Sequence, residues 1–366
     1  MLELPVVSLD DYLRDPTSDS GRKAAQATAE ALILTGAVVV RDSRAPKQAN
    51  DRFLDLFEDY FAQEREELVK DLRPEVGYQV GVTLENTERP KCSSDDECLS
   101  VIALLEETQR PVDLSGHGAD PKCRWFHRMS ETPPYPSAFP VCSAPNVTPR
   151  AFPDWEVRVN EWGGFMKQAV EGVTRMLAVG LGLDESAFLS AGKYGSHLLA
   201  PTATDLEKYG KLNTIFAGFH TDLNFLTIHG QSRYPGLHIW ARNSGKRIPV
   251  RIPPECLLVQ AGKQLEWATG GLIKGKLPKF ENVFRKRFSL TVQAMERRKR
   301  DFPDRPLNRI SSTFFWHLSP DHLLQPDPIL SKMAQDRFGP QKDYGAMLVG
   351  EQVQRELGLI ALMPSN

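Results

Sequence analysis

The chain has 366 residues, a formal net charge of −2 and 41% hydrophobic residues. That is enough apolar material for a large core, in one domain or two. The balanced charge excludes a global field for nucleic acid or anionic membrane, and no run of about eighteen apolar residues marks a transmembrane helix.

In chain order, residues 4–9 (LPVVSL) predict a short strand, residues 22–35 an Ala-rich helix and residues 36–42 (GAVVVRD) a buried strand. Residues 47–71 carry Phe53, Leu54, Leu56, Phe57, Tyr60 and Phe61 near helical spacing, which predicts a core-packing stripe. Prolines from Pro74 to Pro153 are dense enough to break helices and central strands, so residues 72–152 read as irregular. Within them, Arg124-Trp125-Phe126-His127-Arg128 is an aromatic and basic cluster of the kind that usually packs cores and lid contacts. Residues 154–181 predict a long helix, ended at Gly180 and Gly182.

Short strands are then expected at 225–228, 236–242, 247–252 and 256–260, with a hairpin turn at Asn243-Ser244-Gly245-Lys246. Strands this short and this closely spaced point to a jelly roll or barrel. At their head stands His220-Thr221-Asp222. Alternate side chains of an extended segment share a face, so His220 and Asp222 project together. An imidazole and a carboxylate on one face make two thirds of a facial triad, the donor set that suits non-haem Fe(II) with open positions. Farther on, Arg309 and Ser311 have the same alternation, and a guanidinium beside a hydroxyl grips a carboxylate. His229 and His238 read as hydrogen-bonded strand residues.

Residues 292–300 predict a short basic helix whose Arg297-Arg298-Lys299-Arg300 run reads as a solvated helix end rather than an import signal. Residues 329–359 close the chain with helices. The five cysteines, Cys92, Cys98, Cys123, Cys142 and Cys256, have no metal or redox spacing and are expected to be reduced thiols. The opening MLELPVVSLDDYL lacks a signal-peptide pattern, so a cytoplasmic location is expected. Asn146-Val147-Thr148 is then a chance match to a glycosylation acceptor.

These segments together resemble the isopenicillin N synthase-like group of Fe(II)/2-oxoglutarate dioxygenases. LPVVSLDDYL looks like its N-terminal opening; GFHTDLNFLTIHG, PGLHIWAR, LLVQAGKQLEWATGGL and RISSTFFWH look like its catalytic core. The resemblance implies a mainly β fold with flanking helices, a distorted double-stranded β-helix. It implies an N-terminal region over 1–150, a helix plus jelly-roll core over 151–325 and a C-terminal helical extension over 326–366. It further implies Fe(II) on His220 and Asp222, 2-oxoglutarate on Arg309 and Ser311 with Tyr194 close by, O2 as the oxidant, and oxidation, most often hydroxylation, of a small organic substrate. No nucleic acid or membrane partner is implied.

One departure stands out. The family places a further histidine ligand shortly after the segment matching residues 268–272. Here residues 273–287 read IKGKLPKFENVFRKR, and no histidine lies between His238 and His317. The basic composition and lack of alternation predict a loop, and a chain that holds iron poorly. Glu281 and Asn282 are the nearest donors in that segment, and His317 lies beyond the arginine strand. Two alternatives follow: a jelly-roll binding protein that has lost its ligand, and an oxidase that works without 2-oxoglutarate.

Overall fold

The computed structural model describes residues 3–90, 92, 95–111, 118–211, 214–241, 244–274, 278–281 and 285–359, with backbone alone at residues 97, 278–281, 285–291 and 359. Asn243, Lys276 and Asn282, all within segments singled out above, lie outside the described residues, as does the Glu281 side chain.

Residues 256–261 are a continuous apolar run interrupted only by Gln260, and such a run needs cover on both faces. The strand Cys256–Ala261 is buried throughout and sits between Ala37–Arg41 and Leu226–His229, antiparallel to both. From there the large sheet continues through Thr313–Trp316, Leu198–Leu199, Cys123–Arg128, Thr202–Asp205 and Asn308–Ser311, with Val6–Ser8 at its opposite edge and Gly81–Thr83 beside Cys123–Arg128. A second sheet has the order Arg247–Pro249, Leu237–Trp240, Pro278–Glu281, Ile215–Ala217. The large sheet thus draws on strands from both the first 150 residues and the jelly-roll segment.

Helices cover the outer face. Asp19–Thr35 is capped by Ser18, whose hydroxyl accepts from the Gly21 amide at 3.0 Å, and is stopped by Gly36 at φ 68°. It packs on Trp155–Gly180, which lies against the strands Leu226–His229 and Thr313–Trp316. The stripe on Lys47–Phe61 packs as expected: Tyr60 meets Trp125 at 4.9 Å and Trp155 at 5.0 Å between ring centroids. Among the described residues, no helix is long and apolar enough to cross a membrane.

Four expectations are corrected. Residues 278–281 form a strand, paired with both Leu237–Trp240 and Ile215–Ala217, where a loop was expected. Two flanking strands offer free backbone groups, and satisfying those outweighs a weak side-chain pattern. The basic helix is longer than expected, running Arg285–Asp301. Its Arg298 is not solvated: the guanidinium donates to buried Glu58 at 2.6 Å. Cys92 and Cys98 are joined in a disulfide, their Cα atoms 5.3 Å apart, so the expectation of five reduced thiols fails. The turn of the helix Asp96–Ala103 brings Cys98 back to Cys92 in a pocket shared with Ile215, Phe219 and Trp240, a tertiary effect that spacing does not encode.

Candidate active site

A cavity of about 220 Å³ opens between the two sheets. His220 and Asp222 line it just beyond the strand Ile215–Ala217. The His220 ring is oriented by its Nδ1, 2.7 Å from the Gly218 carbonyl. A carbonyl only accepts, so Nδ1 carries the hydrogen and Nε2 presents a lone pair. That lone pair faces Asp222 Oδ1 at 3.3 Å. The other carboxylate oxygen, Oδ2, is fixed by the Thr227 hydroxyl at 2.6 Å. Two acceptors meet head on, an arrangement that calls for a proton or a cation between them. The electrostatics agree. Burial disfavours the charged forms of both groups, yet their mutual hydrogen bond and charge outweigh it, so His220 is shifted up and Asp222 down.

Ser311 lines the same cavity, and Arg309 lines an adjoining one that shares His229 and Ser311 with it. The register of Asn308–Ser311 puts Arg309 and Ser311 on one face, as the alternation predicts. Both are buried. Burial pulls Arg309 down to about 10, so it remains a cation at neutral pH. Tyr194 is not brought in: it does not line either cavity, and its ring meets Tyr135 edge to face at 5.9 Å.

Several lining residues carried no signal of their own. In the strand Cys123–Arg128, Arg124 and Phe126 face the cavity while Trp125 and His127 face the helix layer. The alternation R-W-F-H-R was the available clue. Arg124 lies 3.7 Å over the Phe126 ring and pairs with Glu88 at 2.5 Å. Lys122 pairs with Glu88 at 3.0 Å and Asp120 at 2.5 Å. Burial would raise Glu88, but Arg124 and Lys122 hold it at about 2. The wall is therefore a closed, charge-balanced network. The same cavity is lined by Leu198 and Phe315, which pack with Phe126, and, from the C-terminal helix Val349–Leu359, by Val353 and Leu357. His317, set aside at the sequence level, also lines the cavity, and burial lowers it to about 3.

The facing His220 and Asp222 fit two positions of an iron site. Among the described residues no group of three His, Cys, Asp or Glu side chains is placed to hold a metal ion.

Neither a protein-family model nor a curated protein matches the sequence. Solved structures do. A 2OG-Fe(II) oxygenase family protein from Caulobacter crescentus is 18% identical, with TM-score 0.70, over 98% of this chain and 99% of its own. A full-length Neurospora crassa protein in complex with alpha-KG is 15% identical, with TM-score 0.69, over 97% and 96%. The rice dioxygenase for auxin oxidation is 13% identical, with TM-score 0.63, over 99% of both chains. The chain has the fold of the 2OG-Fe(II) oxygenases. In that fold His220, Asp222 and Ser311 line one cavity, Arg309 lines a second that shares Ser311 and His229 with it, and the large sheet takes in N-terminal strands as well as the jelly-roll strands.

Proposed function

We propose that the protein is an Fe(II)- and 2-oxoglutarate-dependent oxygenase of a small organic substrate. The observation that carries this is the facing pair of acceptors at His220 and Asp222, in a cavity that Ser311 also lines and that adjoins the one lined by Arg309. His220 and Asp222 would hold the iron, and Arg309 with Ser311 the distal carboxylate of 2-oxoglutarate. Iron bound there would supply O2 activation coupled to decarboxylation of the 2-oxo acid. The chain's own contribution is positioning. Gly218 and Thr227 fix the two donors, and Phe126, Leu198, Phe315, Val353 and Leu357 exclude water from the substrate end. Because Glu88, Asp120, Lys122 and Arg124 neutralise one another, that end favours an uncharged, largely apolar molecule.

The second reading is a jelly-roll protein that binds a dicarboxylate without turnover, since the described residues bring no third His, Cys, Asp or Glu to His220 and Asp222. Purified protein should be assayed for succinate formed from 2-oxoglutarate at saturating Fe(II). Succinate that disappears in His220→Ala and Asp222→Ala supports the oxygenase. Binding of 2-oxoglutarate with no succinate supports the second reading.

A further inference from the structure

Five side chains from five strands form one hydrogen-bonded line along the cavity, all but Thr202 buried. Gln260 Nε2 lies 2.6 Å from His229 Nε2. His229 Nδ1 lies 3.1 Å from Thr313 Oγ1. The Thr313 hydroxyl donates to Ser311 Oγ at 3.2 Å, and Ser311 Oγ lies 2.6 Å from Thr202 Oγ1. Strand register builds this line: Thr313 is opposite His229, Ser311 is opposite Thr202, and Gln260 is diagonal to His229.

The line has a direction. Thr313 has one hydroxyl hydrogen, and Ser311 takes it. Thr313 must then accept from His229, so His229 carries its hydrogen on Nδ1. His229 Nε2 is left to accept from the Gln260 amide. Ser311 Oγ accepts from the Thr313 hydroxyl and from the Thr202 backbone amide, 3.1 Å away, which fills both of its lone pairs. Its own hydrogen can only be given away, to a ligand or to Thr202 Oγ1. In the second case Thr202 passes its own hydrogen on. Ser311 and Thr202 both line the cavity.

We propose that Gln260, His229 and Thr313 are positioning residues that make Ser311 an obligate hydrogen-bond donor, with Thr202 able to relay that donation toward the cavity, so that the site selects a carboxylate over its amide. Thr202 is thereby a further binding residue. The proposal rests on the 2-oxo acid reading of the site for the identity of the carboxylate, and on hydrogen-bond direction alone for the polarity. Burial lowers His229 to about 4, against the pull of Asp222, so the ring is neutral and the direction of the line does not change at neutral pH.

Two measurements on the metal-free protein test it. In protein labelled with 15N-histidine, two-bond correlations should show His229 protonated at Nδ1; protonation at Nε2 overturns the proposal. By calorimetry, the wild type should bind 2-oxoglutarate in preference to the 2-oxo acid whose distal carboxylate is an amide. Thr313→Val keeps the shape and removes the hydroxyl. It should weaken 2-oxoglutarate by about three- to tenfold, the weight of one neutral hydrogen bond, and narrow the preference. Thr313→Ser should restore both. An unchanged preference in Thr313→Val, with the thermal unfolding midpoint preserved, overturns the proposal. If neither compound binds the wild type even when Fe(II) is added anaerobically, the oxygenase reading fails, and the tautomer alone then upholds or overturns the relay.

Discussion

His220 Nε2 and Asp222 Oδ1 face each other across 3.3 Å with the ring hydrogen turned away to Gly218. Each is an acceptor, and the gap between them suits a cation. A cation held by two protein donors needs others, and a 2-oxo acid brings two oxygens in chelating geometry. Fe(II) should therefore bind at least about tenfold more tightly with 2-oxoglutarate present than without it, by mass-action linkage. Anaerobic titrations of both kinds decide this. Equal and tight binding in the absence of 2-oxoglutarate would mean that a third protein donor exists.

Arg309 supplies the charged end of the cosubstrate grip. Arg309→Met should weaken 2-oxoglutarate by about 1.5–3 kcal/mol, the range for hydrogen bonds to charged groups, which is roughly 10- to 150-fold. The measurement is calorimetric and needs no turnover. An unchanged affinity removes Arg309 from the site.

Acid should destabilise the fold through two buried histidines. Burial lowers both His127 and His229 from 6.5 to about 4. Between those values the unfolded chain takes up protons that the folded chain refuses. The stability from each neutral ring is therefore complete above pH 6.5 and is lost as pH falls toward 4. Each contributes on the order of 3 kcal/mol over that window. His127→Gln should flatten the dependence of urea-unfolding free energy on pH between 7 and 5. A slope unchanged by the substitution contradicts the assignment.

Glu58 is buried and accepts from Arg233 at 2.6 Å, Arg298 at 2.6 Å and Arg305 at 3.1 Å. Removing its charge leaves three guanidinium groups around a neutral amide. Glu58→Gln should cost about 3–5 kcal/mol, the usual loss when one partner of a buried ion pair is removed. The readout is the thermal unfolding midpoint, and a shift under about two degrees would show that the arginines find other partners.

The sequence disclosed the parts of this molecule that repeat locally. Period-two alternation located His220 with Asp222 and Arg309 with Ser311, and the 3.6-residue stripe located Lys47–Phe61. It did not disclose what depends on partners far along the chain. Residues 278–281 have little strand character of their own and become a strand because Leu237–Trp240 and Ile215–Ala217 flank them. Nothing local shows that Glu88 and Asp120 are brought beside Lys122 and Arg124. His229 looked structural and is hydrogen-bonded as such, yet its position between Gln260 and Thr313 gives that bonding a role. Tyr194 was carried over from the family on position alone and meets Tyr135 instead.

The Cys92–Cys98 bridge bears on how the protein is handled at the bench. It ties Cys92, two residues after the cavity-lining Pro90, to Cys98 of the helix Asp96–Ala103, and both cysteines pack with Phe219, next to His220. Ferrous iron is kept from oxidising by added reductants, and thiol reagents of that kind also open disulfides by exchange. Ascorbate does not exchange with sulfur in this way. Dithiothreitol and ascorbate are therefore not interchangeable additives for this protein, because the first can part Cys92 from Cys98 while the second leaves them joined.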